Sequence, residues 1–138
     1  GLFDAVGALF ESTRGLARGT VVGSLVAREK LGSTGLGQGV AIPHGRIKGL
    51  KDAVGAFLRL AAPVQFDAPD GKPVHFLFVL LVPEQATEQH LQILSELAQM
   101  FSDRAFREQL AAAADADAIH ALFTGWEPNA SGERRAAV

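Results

Sequence analysis

The sequence contains no cysteine and no tyrosine, and only one methionine and one tryptophan. Without cysteine the chain has no disulfide, thiol nucleophile or thiolate metal ligand, which is compatible with the reducing cytoplasm where we place the protein. A formal net charge of −2 gives no basic footprint for binding nucleic acid. The groups left for nucleophilic or acid–base chemistry are few, so the four histidines are weighed first.

Long apolar runs are also missing. The longest covers residues 76–83 and suits a buried strand, because crossing a bilayer takes roughly 20 apolar residues. The first residues carry Asp4 and Glu11 without a basic leading region, which argues against a signal peptide. With 48% hydrophobic and 20% charged residues, the composition predicts one globular domain over residues 1–126 and a flexible tail over residues 127–138.

The apolar spacing predicts helices and strands that both alternate and cluster. This pattern favours an α/β fold of the α+β type, with a mixed β-sheet of about five strands sandwiched by helices. Three helices are predicted over residues 2–16, from a cap at Thr20 to Gly32, and from a cap at Thr87 to Phe101. The second of these is predicted to bury Val22, Leu25 and Val26. Two further helices are predicted to begin at Ser102 or Asp103 and at Asp115 or Asp117. Strands are predicted over residues 40–42, 53–61 and 74–82, with a turn at Asp70 and Gly71. The strand over 74–82 is apolar on both faces, which indicates a central position in the sheet.

The stretch "LGQGVAIPHGR" presents one histidine directly after a proline. Its glycines admit unusual backbone angles and the close approach of another molecule. Pro43 has no N–H to donate to a sheet, so we expect the short strand to stop there. His44 is then presented at a strand end, near the surface, where a reactive side chain is useful.

The other three histidines have weaker local patterns. His75 lies inside the central-strand pattern, where a structural role is about four times favoured over a functional one. His120 lies between apolar residues of the last helix and is interpreted as a surface or packing residue. His90 falls one turn into its helix, where unpaired N–H groups favour an anion, and a solvated histidine is equally favoured there.

Motifs for other chemistries are missing. The sequence has no H-E-x-x-H, no G-x-S-x-G elbow and no P-loop. A metal held by His44, His90 and a distant carboxylate stays open as an alternative, but no metal or cofactor is predicted.

The run "REKLGSTGLGQGVAIPHG" (28–45) resembles the phosphorylation-site signature of the IIA domains of the fructose/mannitol class in the bacterial phosphoenolpyruvate-dependent phosphotransferase system. That signature has an acidic or amide residue, six positions, an apolar and a small residue, two positions, and then apolar-Ala-apolar-Pro-His-small. The matching residues are Glu29, Leu36, Gly37, Val40, Ala41, Ile42, Pro43, His44 and Gly45. The likeness extends to about Trp126, and "PHGR" and "DAPDGKPV" are most similar to the nitrogen-regulatory branch, which implies the IIA fold and a stand-alone regulatory phosphocarrier.

The resemblance implies a role for three residues. His44 matches the phosphorylated histidine, His90 matches a second histidine beside it, and Arg28 matches an arginine that holds the phosphoryl group. Two features depart from the family pattern. Gln38 stands where asparagine is common, and an N-terminal segment of about two dozen residues, with one edge strand, has no counterpart in the sequence.

The resemblance also implies partners. The donor is a small histidine phosphocarrier protein, and the acceptors of the signal are regulatory target proteins, with kinases and potassium transporters as candidates. An apolar rim of Leu36, Ile47 and Leu91 is predicted to dock the donor, with burial in the core equally favoured for each. Two alternatives stay open: a sugar-transport IIA component that passes phosphate to a IIB domain, and an unphosphorylated protein-binding domain of the same fold.

Overall fold

The computed structural model describes residues 1–85 and 88–127, and these form five helices and a mixed five-stranded sheet. The helices are α1 (Leu2–Arg14), α2 (Arg18–Glu29), α3 (Glu88–Ser102), α4 (Arg104–Ala112) and α5 (Ala116–Gly125). The strands are β1 (Gly35–Gly37), β2 (Val40–Ala41), β3 (His44–Ile47), β4 (Val54–Val64) and β5 (Val74–Pro83). The predicted α/β class with a mixed sheet of about five strands is confirmed. Within the described ranges, no helix combines the length and the apolar character that crossing a membrane requires.

Strand β5 is the centre of the sheet, as its continuous apolar pattern predicts. It pairs antiparallel with β4 on one side and parallel with both β2 and β3 on the other. The register is the same in both parallel stretches, since Val40 pairs with Phe76 and His44 pairs with Leu80. Strands β2 and β3 are therefore one strand with a gap at Ile42 and Pro43.

The prediction that this strand stops at Pro43 is wrong in one respect. Pro43 lacks an N–H, but its carbonyl still accepts a hydrogen bond from the N–H of Leu80 at 3.0 Å. The chain therefore stays beside β5, and pairing resumes at once. His44 begins a strand instead of following one.

Helix α2 begins earlier than predicted. Its first residue is Arg18 and its N-cap residue is Ala17, so the cap predicted at Thr20 is wrong. The backbone N–H of Arg18 instead donates to the Glu11 carboxylate of α1 at 3.3 Å. A partner from a neighbouring helix replaces the local cap.

The buried face of α2 includes Leu25, as predicted, but Val21 in place of Val22 and Val26. Val21 and Leu25 are buried, whereas Val22 and Val26 are only half-buried. Residues 21, 25 and 28 follow the i, i+4, i+7 spacing of one helix face, so Arg28 lies on the buried side. The core of this part of the chain consists of Val6, Phe10, Val21, Leu25, Ala41, Ile47, Val74, Leu77, Val79 and Leu81.

The chain divides into two compact units, Gly1–Leu91 and a second that begins at Gln92. In the second unit α4 starts after the N-cap Asp103 and α5 after the N-cap Asp115, as predicted. The buried residues of α3 are Leu97, Met100 and Phe101, and Leu91 is 51% exposed. The Thr87 cap and the tail beyond residue 127 lie outside the described residues, and the predicted domain bounds stay a prediction.

Candidate functional site

His44, the first residue of β3, is half-buried, and both of its ring nitrogens have partners. Nδ1 lies 2.8 Å from the carbonyl oxygen of Ile42, and Nε2 lies 3.2 Å from Nε of Arg28. A carbonyl oxygen only accepts, so Nδ1 carries the proton of the neutral ring. Nε2 then holds a lone pair that accepts from the Arg28 N–H. The geometry selects one tautomer and leaves the free lone pair on Nε2.

Arg28 reaches this nitrogen from the last turn of α2. Its Nη1 also donates to the carbonyl oxygen of Gly32 at 2.8 Å, so the guanidinium is held at two points. Two ion pairs among the described residues, Gly1 with Asp4 and Arg104 with Glu108, do not involve Arg28. The positive charge beside Nε2 is thus available to an anion.

Close packing of α2 on β3 brings Arg28 to this position. Ser24, one turn earlier on α2, donates its hydroxyl to the carbonyl oxygen of Arg46 at 2.9 Å. A Cβ on Gly45 would lie 2.2 Å from that hydroxyl oxygen, so only glycine permits this approach. Sequence reasoning missed Ser24, because no local pattern points to it.

Glu29, the last residue of α2, forms hydrogen bonds with Thr34, whereas the preceding Arg28 contacts His44. Its carboxylate accepts from the backbone N–H of Thr34 at 2.9 Å and from the Thr34 hydroxyl at 2.7 Å. The carbonyl oxygen of Thr34 accepts from the N–H of Ile42 at 3.0 Å. Thr34 is 6% exposed. Sequence reasoning matched Glu29 to the signature without a role and missed Thr34.

The glycine-rich loop forms the connection between β1 and β2. Gly37, Gln38 and Gly39 all have positive φ, of 85°, 58° and 78°. The carboxylate of Asp70 accepts from the Gln38 N–H at 2.9 Å and from the Lys72 N–H at 3.0 Å. These two backbone donors, Gln38 first, lower the pKa of Asp70 below its ordinary value. The loop is held by a charge from the turn before β5.

The remaining histidines are His75, His90 and His120. The His75 ring packs against Gly39, where a Cβ would meet it at 2.2 Å, and its centroid is 4.3 Å from that of Phe76. His120 is exposed on α5. His90 is half-buried on the first turn of α3, and its pairing with His44 stays a prediction. Across residues 1–85 and 88–127, no group of three or more histidine or acidic side chains could hold a metal ion.

Two of the three residues predicted to form an apolar rim are exposed. Leu36 is 40% exposed and Leu91 is 51% exposed. Ile47 belongs to the core and is 3% exposed, so its place in the rim is wrong. The reason is strand alternation, because Ile47 shares the buried face of β3 with Gly45 while His44 and Arg46 face outward.

A cavity of about 590 Å³ lies beside the start of α1 and the segment after β4. Its lining includes Phe3, Val26 and Phe66, together with Glu29, but neither Arg28 nor His44. His44 begins β3, which among the described strands pairs with β5 alone, so the imidazole lies on an outer strand of the sheet.

The family described as "Phosphoenolpyruvate-dependent sugar phosphotransferase system, EIIA 2" matches residues 3–125. The nitrogen regulatory protein of Pseudomonas aeruginosa is 52% identical over 103 residues, which cover 75% of this chain and 67% of that protein. The crystal structure of nitrogen regulatory protein IIA-Ntr from Neisseria meningitidis has a TM-score of 0.82 at 55% identity, covering 88% of this chain and 83% of that one. The mannitol IIA of Escherichia coli has a TM-score of 0.70 at 21% identity, covering 88% and 85%, a likeness of fold alone. The chain spans about two thirds of the length of the curated relatives it matches.

Proposed function

The chain belongs to the EIIA type 2 family of the phosphoenolpyruvate-dependent sugar phosphotransferase system, and we propose that it is a regulatory phosphocarrier that accepts a phosphoryl group on Nε2 of His44. The observation that carries this proposal is the pair of contacts on the imidazole. Ile42 holds the proton on Nδ1, and Arg28 places a positive charge beside the free lone pair of Nε2. A nucleophile and an anion-binding group therefore meet at one atom.

The donor in this proposal is a phosphohistidine on a small carrier protein. The Nε2 lone pair attacks phosphorus in line with the donor's P–N bond, which breaks as the new P–N bond forms. The donor ring, which carries a proton on its other nitrogen, keeps the electron pair of the broken bond and leaves as neutral imidazole. The Nδ1 proton of His44 stays in place, and the Ile42 carbonyl stabilises the positive charge that develops on the ring. No nucleotide, metal or cofactor enters the step.

Arg28 is the proposed ligand of the transferred group. As Nε2 becomes bonded to phosphorus, the Arg28 N–H loses its acceptor and can donate to a phosphoryl oxygen instead. His90 is proposed as a second ligand, because it lies on the first turn of α3, at the positive end of the helix dipole, where an anion is stabilised.

The proposed partners are proteins. Exposed Leu36 and Leu91 are the surface on which the donor would dock. The names of the relatives from Pseudomonas and Neisseria support a role in nitrogen regulation. We propose that this role is exercised in the cytoplasm through regulatory target proteins, with kinases and potassium transporters as candidates.

Incubation with phosphoenolpyruvate, the first enzyme of the system and the small carrier tests this proposal. The protein should gain one acid-labile phosphate, which peptide mapping should place on His44. His44→Ala should accept none, and His120→Ala, which changes an exposed histidine on α5, should accept the normal amount. Phosphate on His75 or His120 would contradict the assignment. Onward transfer to an added IIB domain would favour the sugar-transport alternative.

A further inference from the structure

A continuous chain of hydrogen bonds runs from Glu29 to the imidazole of His44. The Glu29 carboxylate accepts from the Thr34 N–H and hydroxyl at 2.9 and 2.7 Å. The Thr34 carbonyl accepts from the Ile42 N–H at 3.0 Å, and the Ile42 carbonyl faces Nδ1 of His44 at 2.8 Å. The chain thus ends on the nitrogen that is not the nucleophile.

The last link lies between the two short strands β2 and β3. Ile42 and Pro43 form the gap between β2 and β3, where pairing with β5 pauses. Pro43 has no N–H and its carbonyl faces β5, whereas the Ile42 N–H faces the β1 side of the strand and donates to Thr34. The direction of the Ile42 carbonyl therefore depends on where Thr34 is held.

Thr34 in turn depends on Glu29. It lies between the end of α2 and the start of β1, and it is almost completely buried. A buried N–H and hydroxyl without acceptors would be unfavourable, and the two carboxylate oxygens supply one acceptor to each. The carboxylate fastens this loop at both donors at once.

We propose that Glu29 is a positioning residue for phosphorylation of His44. Through Thr34 and Ile42 its carboxylate fixes the carbonyl that holds the Nδ1 proton, and so keeps Nε2 unprotonated and directed towards Arg28. The inference rests on the proposed function for its effect on rate, but its effect on the resting tautomer is independent of any donor.

The test combines nitrogen-15 chemical shifts of the His44 ring in the unphosphorylated full chain with rapid-quench rates of phosphorylation. In Glu29→Ala the Nδ1 and Nε2 shifts should move towards a mixture of tautomers, and the rate should fall about fivefold to tenfold. Glu29→Gln should have the wild-type chemical shifts and a rate within about twofold of wild type. The reason is that its amide oxygen can accept from the Thr34 N–H and its NH₂ group can donate to the Thr34 hydroxyl.

Asp103→Ala is the matched control. It also removes two hydrogen bonds, from the Phe106 N–H and the Trp126 indole, but these lie in the second unit. It should leave the His44 shifts and the rate unchanged. If Glu29→Ala does not fold, Thr34→Val, compared with Thr34→Ser, removes only the hydroxyl contact and should shift the tautomer in the same direction.

Two results would overturn the inference: wild-type His44 shifts in Glu29→Ala, or an equal change in Asp103→Ala. A wild-type protein that accepts no phosphate would instead overturn the proposed function. In that case the tautomer comparison would still decide whether Glu29 positions the ring.

Discussion

Arg28 and Glu29 are consecutive residues of α2, yet their side chains serve different partners. The guanidinium donates to Nε2 of His44, and the carboxylate accepts from Thr34. Neighbours in a helix point in directions that do not face each other, so two opposite charges at adjacent positions need not neutralise one another. The positive charge stays at the imidazole because the negative charge is engaged elsewhere.

The Arg28 contact predicts a graded response to substitution. Arg28→Ala should slow phosphorylation of His44 by one to two decades, the worth of a charge-assisted hydrogen bond of roughly 1.5–3 kcal/mol. Arg28→Lys should lie in between, because lysine keeps the charge but loses the planar fork. Rapid-quench kinetics measure this, with Arg14→Ala, an exposed arginine at the end of α1, as control. A wild-type rate in Arg28→Ala would remove Arg28 from the site.

The proposed role of His90 predicts impaired but not abolished chemistry. His90→Ala should still accept phosphate on His44, ten- to a hundredfold more slowly, and should pass it on poorly, because a ligand of the phosphoryl group is lost while the nucleophile remains. The forward and reverse rates should be compared with those of His120→Ala. Kinetics indistinguishable from wild type in both directions would make His90 a solvated residue at a helix start.

The Ser24–Gly45 contact predicts a specific loss of stability. Gly45→Ala would place a methyl group against the Ser24 hydroxyl, and overpacking of this kind costs about 1–3 kcal/mol in the free energy of unfolding. Ser24→Gly combined with Gly45→Ala should recover part of that loss, as urea titration would show. The control is Gly23→Ala on the same helix, where nothing lies within 4 Å and alanine should stabilise the protein. Equal effects of the two single alanine variants would contradict the contact.

The Asp70 carboxylate predicts a pH dependence of stability. Its pKa is lowered in the folded state, because the Gln38 N–H and then the Lys72 N–H donate to the charged form. A lowered folded pKa means that the stabilisation is fully present above the unfolded value of about 4 and is lost as the pH falls through the folded pKa. Asp70→Asn should therefore be less stable than wild type at pH 7, and the difference should shrink in acid. Parallel pH profiles in urea titrations would contradict this.

Local sequence pattern was sufficient to predict the position or the start of several helices and strands. The apolar run of β5 predicted its central place, and Asp103 and Asp115 predicted where α4 and α5 begin. The start of α2 was wrong because its cap comes from Glu11 on another helix, a partner that no local window contains. Strand β3 was missed because Pro43 removes a donor but keeps its acceptor.

The residues of the site also differ in whether local sequence pattern could find them. Glycines and Pro43 drew attention to His44 from local pattern alone, whereas Arg28 was found only through the family resemblance. Thr34 matters through bonds to residues five positions before it and eight after it, and neither partner is implied by a threonine in a loop. Sequence reasoning pointed to His44 but not to the contacts that orient its ring.

Strands β2 and β3 keep the same register along β5, which fixes the number of residues between them. Ala41 and His44 are tied to Leu77 and Leu80, so the two residues between them must span a fixed distance. Because successive side chains of a strand alternate between faces, one inserted or deleted residue would place both the imidazole and its flanking glycine on the wrong side. This edge is therefore closed to changes in length, since the spacing itself decides which side of the sheet carries His44.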